Sequence, residues 1–179
     1  MRSFNLNIAG YKIRFESAER GAEMFPSERF HSFIVSEANQ DILIRVHSGK
    51  FNMPMDAKVI FDAPYVEETN GIRLKKNDEF WSILKHGDHL YIKTIFPHTG
   101  HEKQAVLRFS FTGREWDLWI NRKGMKTNPM EYPLDGLILY YLTVVYGDIM
   151  IHASGANYAR RGYLFSGVSG KGKTTMAKL

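Results

Sequence analysis

Apolar stretches that alternate or run β-branched, each stopped by a turn, recur through the first 120 residues or so and constrain the fold most. Glu115-Trp-Asp-Leu-Trp-Ile120 is the clearest: Trp116, Leu118 and Ile120 alternate with Glu115, Asp117 and Trp119. Side chains of a strand point to opposite faces in turn, so this spacing predicts a half-buried antiparallel strand. Asp41–His47 is a β-branched apolar run that ends at Ser48-Gly49, and Lys58–Asp62 stops at Ala63-Pro64. Phe80–Leu84 and His89–Phe96 flank Lys85-His-Gly-Asp88, a hairpin connection. Ala105–Phe111 and Glu115–Ile120 flank Thr112-Gly-Arg114, and Phe4–Ile8 and Tyr11–Phe15 join through Ala9-Gly10. Short strands at about ten-residue spacing predict a sheet sandwich or a strongly bent meander. The aromatic residues, 12 Phe, 9 Tyr and 3 Trp, fall mainly in these strands and read as core.

Composition removes several function classes. There is no cysteine, which excludes a disulfide framework, a zinc ribbon and a thiol nucleophile. Apolar residues are 44% and charged residues 24%, enough for a packed core. No run approaches the roughly 20 apolar residues of a bilayer span, and Met1–Asn7 lacks the apolar run of a signal peptide. The expectation is a cytoplasmic protein with no membrane partner. The net charge is +5, densest around Arg160, Arg161, Lys171, Lys173 and Lys178. That concentration suits a small polyanion better than a nucleic-acid tract. His86, His89, His98 and His101 match no zinc-ligand spacing and read as surface histidines.

The pattern changes after the polar linker Arg122–Pro129. Leu134, Leu137, Ile138, Tyr141, Leu142 and Val145 share one face at helical spacing, which predicts a helix over 134–146. Pro133 suits its first turn and Gly147 its C-terminal cap. Strands are expected over Asp148–Ala153, Ala156–Ala159 and Gly162–Ser166.

The strongest chemical signal follows. Gly167-Val-Ser-Gly-Lys-Gly-Lys-Thr174 satisfies G-x-x-x-x-G-K-[ST], the phosphate-binding loop. A strand runs into it, and Thr174–Leu179 reads as the start of a helix. Glycines at 167, 170 and 172 let successive backbone N–H groups point inward at an anion, and a helix N-terminus adds partial positive charge. Lys173 reaches the β- and γ-phosphates of a nucleotide. The Thr174 hydroxyl ligates Mg²⁺. The expected ligand is ATP with Mg²⁺, contacted by Gly167, Val168, Ser169, Gly170, Lys171, Gly172, Lys173, Thr174 and Thr175.

Leu134–Leu179 resembles the HPr serine kinase/phosphorylase family, most of all the divergent HPr-kinase-related proteins. The likeness rests on Gly147-Asp-Ile-Met-Ile-His-Ala-Ser154 and on Gly162–Thr175, with His152 fifteen residues ahead of Gly167 as in the family. The loop is equally similar to that of ATP-dependent phosphoenolpyruvate carboxykinase. Where the family often has Asp after the first glycine of the loop, this chain has Val168. The strand pattern predicts a β-rich antiparallel N-terminal domain over residues 1–128, and the resemblance implies that 129–179 is the beginning of an HPr-kinase/carboxykinase-like P-loop domain, together an α+β protein. It implies a kinase that phosphorylates a hydroxyl of a protein, peptide or small molecule, with His152 and Lys173 catalytic. A carboxykinase-type enzyme and a nucleotide-switched regulatory module remain open beside it. The family's acidic pair follows the loop's helix, so the expectation is the N-terminal part of a longer kinase, inactive on its own. Ser154 and Ser169 read as structural.

Overall fold

The computed structural model of the chain describes residues 1–36, 39–69, 72–97, 103–121, 126–168 and 170–178. The chain divides into two compact units, Met1–Ile138 and Leu139–Leu179.

The first unit is built on one nine-stranded sheet. Its strands are β1 (Ser3–Ile8), β2 (Tyr11–Ser17), β4 (Ile34–Val35), β5 (Ile42–Ser48), β6 (Lys58–Thr69), β7 (Ile72–His86), β8 (His89–Ile95), β9 (Gln104–Phe109) and β10 (Glu115–Asn121). They lie in the order β4-β1-β2-β5-β10-β9-β8-β7-β6. The short β3 (Glu23–Met24) pairs in parallel with β11 (Lys126–Thr127), outside the main sheet. The main core lies on one face, and a smaller cluster of Leu84, Tyr91 and Val106, with Phe51 and Met53 packed on it, lies on the other. Ile13, Phe15, Ile44, Ile92, Leu107, Trp116 and Leu118 are each buried almost completely. The alternation in β10 therefore marks its inner face, with Asp117 and Trp119 turned outward and half-buried.

The α+β expectation is overturned. The chain is mostly β, 51% strand against 14% helix, with a large mixed sheet and no α/β P-loop domain among the described residues. The N-terminal sheet is not antiparallel throughout either. β5 runs parallel to β2, with Phe15 opposite Ile44, and parallel to β10, with Leu118 opposite Val46. Apolar alternation reports which face is buried and is blind to the direction of the neighbouring strand. Strand length differs as well. β6 continues through Pro64 to Thr69, with register shifts on both sides of the proline. An edge strand tolerates proline because its outer N–H row has no ladder partner to lose.

Helix α1 spans Leu134–Tyr146. The apolar face expected from the sequence is its buried face: Leu134, Leu137, Ile138, Tyr141 and Leu142 are all buried. In its first turn, Asp135 is paired with Arg29. Its end is a glycine cap. Gly147 takes φ +71° and donates to the Val144 carbonyl, and Asp148 N–H donates to the Thr143 carbonyl at 2.8 Å. These are the two bonds of a Schellman motif, and they close orphan carbonyls of the last turn.

The second unit continues into β12 (Ala153–Tyr158) and β13 (Arg161–Ser166), a two-stranded antiparallel hairpin, and then α2 (Lys173–Met176). Ala159 and Arg160 form its turn, both at positive φ, the conformation that matches the twist of the flanking strands. Two short strands and a one-turn helix stand where a P-loop α/β domain was expected. No helix among the described residues is long and apolar enough to cross a membrane.

Candidate functional site

The loop that follows β13 holds most of the residues expected to bind nucleotide. Gly170 and Gly172 adopt φ +78° and +75°, a region that costs other residues about 1–2 kcal/mol each. A Cβ at either position would meet open space, so backbone conformation, not crowding, calls for glycine there. Gly172 caps α2, whose first bond runs from Met176 N–H to the Gly172 carbonyl at 2.9 Å.

Lys173 folds back over the loop. Its Nζ donates to the carbonyls of Gly167 at 2.9 Å and Val168 at 3.0 Å. The ammonium is thereby fixed to the backbone at the start of the loop although it sits at the end of the motif. Thr174 is exposed, and its Oγ1 lies 3.4 Å from Oγ of Ser154 on β12. Val168, Gly170, Lys171 and Thr175 are exposed around them. Ser169 lies outside the described residues, as do His98 and His101.

His152 is placed differently from expectation. The strand predicted over Asp148–Ala153 begins only at Ala153, so His152 precedes β12 and is exposed. The physical reason is pairing: Ile149, Met150 and Ile151 are exposed with no strand partner among the described residues, so no ladder forms ahead of Ala153. The hairpin register still aligns the two ends. Ala153 pairs with Ser166, so the ladder stops at the residues adjoining His152 and Gly167. Among the described residues no hydrogen bond or ion pair joins His152 to the loop.

The basic residues do not form one patch. Arg160 and Arg161 lie at the turn of the hairpin, while Lys171 and Lys173 lie past its other end. Six-residue strands separate the two groups by roughly 17 Å.

The Thr174 hydroxyl is a hard oxygen donor of the kind Mg²⁺ takes, and Ser154 Oγ lies behind it. Mg²⁺ commonly takes few protein ligands and completes its shell with substrate phosphates and water. Among the described residues no group of three or more His, Asp or Glu side chains converges on a metal position.

A second polar cluster escaped the sequence reading. On the outer face of the large sheet, His47 Nε2 lies 2.8 Å from Asp117 Oδ1, and Arg108 donates to Asp117 Oδ2 at 2.6 Å. The His47 ring stacks on Trp119 at 4.7 Å, and Phe51 packs on the same indole. Partial burial pushes the Asp117 carboxyl up, and the bonds from His47 and Arg108 outweigh it, leaving the group below its ordinary value. Direct opposition of His47 and Trp119 in the parallel β5–β10 register makes this a cross-strand ladder that ties the sheet together. Its signal was the polar half of the alternation in each strand, readable only once β5 is known to neighbour β10.

No family model matches the chain, and neither a curated protein nor a solved structure matches it.

Proposed function

We propose that Gly167–Thr174 binds the phosphates of Mg-ATP, and that the chain serves an HPr-kinase-like phosphotransferase acting on a hydroxyl of a protein, peptide or small molecule. One observation carries the reading: the Lys173 ammonium is held over its own loop by the Gly167 and Val168 carbonyls, with the Thr174 hydroxyl next to it in sequence. A phosphate entering the loop competes with two neutral carbonyls for that ammonium. The ammonium is charged in both cases, but a phosphate oxygen adds a negative charge and a direct ion-pair attraction that a carbonyl lacks, so the anion wins. The Thr174 hydroxyl supplies Mg²⁺ with a protein ligand, and the metal neutralises phosphate charge. Phosphoryl transfer is mostly positioning and charge stabilisation, which is what these groups provide.

Recognition by the loop makes the phosphate chain, not the base, the main determinant of affinity. In a titration with a fluorescent ATP analogue and Mg²⁺, ADP and inorganic tripolyphosphate should displace the probe, whereas adenosine should not. Displacement by adenosine as strong as by tripolyphosphate would place the binding energy elsewhere.

His152 enters as a donor near the transferred group. Because it is exposed and outside the hairpin ladder, its removal should spare the fold. Where the chain is part of an active kinase, His152→Ala should slow phosphoryl transfer from ATP by about tenfold or more, roughly 1.4 kcal/mol of barrier, with the melting temperature unchanged. A fall in melting temperature with an unaltered rate per folded molecule would make it a structural histidine.

A further inference from the structure

We infer that Ser154 is a positioning residue for the metal ligand Thr174, an inference that rests on the nucleotide reading above. The two hydroxyls are 20 residues apart in sequence and 3.4 Å apart in space. They come from different elements. Ser154 belongs to β12, where it pairs with Phe165 of β13, and Thr174 belongs to α2.

A threonine hydroxyl has one proton and two lone pairs, and its rotor is free unless something holds it. A hydroxyl that gives a lone pair to a cation becomes a stronger donor, and its proton then needs an acceptor facing away from the metal. Ser154 Oγ is such an acceptor. It is half-buried on a paired strand, while Thr174 itself is exposed. A spacing of 3.4 Å is long for an O–H···O bond, and hydrogen bonds of this kind tighten when the ligand arrives. The role of Ser154 is thus to set the Thr174 rotor so that its lone pair faces the metal, and the effect is confined to the metal-dependent part of nucleotide affinity. Lys173 and the loop backbone act on the phosphates with or without Mg²⁺.

The test compares ATP affinity by calorimetry in Mg²⁺ and in EDTA. In Ser154→Ala, the gain in affinity on adding Mg²⁺ should shrink about fivefold, the size of one net hydrogen bond, while affinity in EDTA stays at the wild-type value. Ser154→Cys, whose sulfur accepts poorly, should behave like alanine, and Ser154→Thr should restore the gain. Equal Mg²⁺ gains in wild type and both the alanine and cysteine variants overturn this inference alone. So does an equal loss in Mg²⁺ and EDTA, which marks Ser154 as a prop for the loop's shape. No ATP binding by the wild-type chain overturns the nucleotide reading, and this inference with it.

Discussion

Trp116→Ala is expected to destabilise the first unit by about 3–5 kcal/mol. The indole is completely buried on β10, which lies between β5 and β9 near the middle of the nine-stranded sheet. It packs against Phe109 at 5.1 Å, and its Nε1 donates to the Gly113 carbonyl at 3.2 Å. Truncation removes the largest buried side chain of the strand, leaves a cavity that neighbours fill only partly, and strips the Gly113 carbonyl of its donor. Trp119→Ala is the matched control. It sits three residues on, on the outward face, where its indole covers His47 and Phe51 and is half-buried. Its loss should cost about 1–2 kcal/mol, from the ring contacts and the part of the indole they bury. Urea denaturation followed by circular dichroism separates the two. Equal losses would mean that the alternation does not mark the inner face.

That contrast also measures what could be read from the residues. Trp116, Leu118 and Ile120 report their face by spacing alone, because burial on one side of a pleated strand leaves a period-two signature. The helix over 134–146 was readable for the same reason at period 3.6, and Gly147 announced its end. Strand direction left no such mark. β5 is parallel to both neighbours because of long connections, and nothing local in Ile42–Ser48 depends on where those connections lead. The length of β6 was hidden by Pro64, which ends a central strand but not an edge strand whose pairing partner shifts register around it. At the candidate site, the glycine spacing of the loop forecast its backbone, since positive φ at Gly170 and Gly172 is a local requirement. The Ser154–Thr174 proximity was not legible, because it depends on how a hairpin and a helical turn meet. The strand expected over Asp148–Ala153 failed for a related reason: an apolar run suggests a strand, but a strand exists only where a partner pairs with it.

Lys173→Ala should weaken Mg-ATP binding by about 2–3 kcal/mol, roughly 30- to 150-fold, while leaving the fold intact. The lysine is half-exposed, and its bonds to the Gly167 and Val168 carbonyls can be replaced by water, so the melting temperature should move little. What water cannot replace is a positive charge fixed at the loop. Lys171→Ala and Lys178→Ala remove the same formal charge from exposed positions of the same segment. Exposed charges act through solvent and are screened by salt, so these two should change affinity only a few-fold and lose even that effect at high ionic strength. The Lys173 effect should persist, because contact with phosphate is direct. Lys173→Arg should rescue poorly. The guanidinium is a broad planar fork, whereas the loop closes on a compact ammonium with three rotatable donors. Calorimetric titrations of the four variants with Mg-ATP at two salt concentrations give the answer. Similar losses for Lys171→Ala and Lys173→Ala, both abolished by salt, would reduce the site to diffuse attraction of an anion by a basic segment.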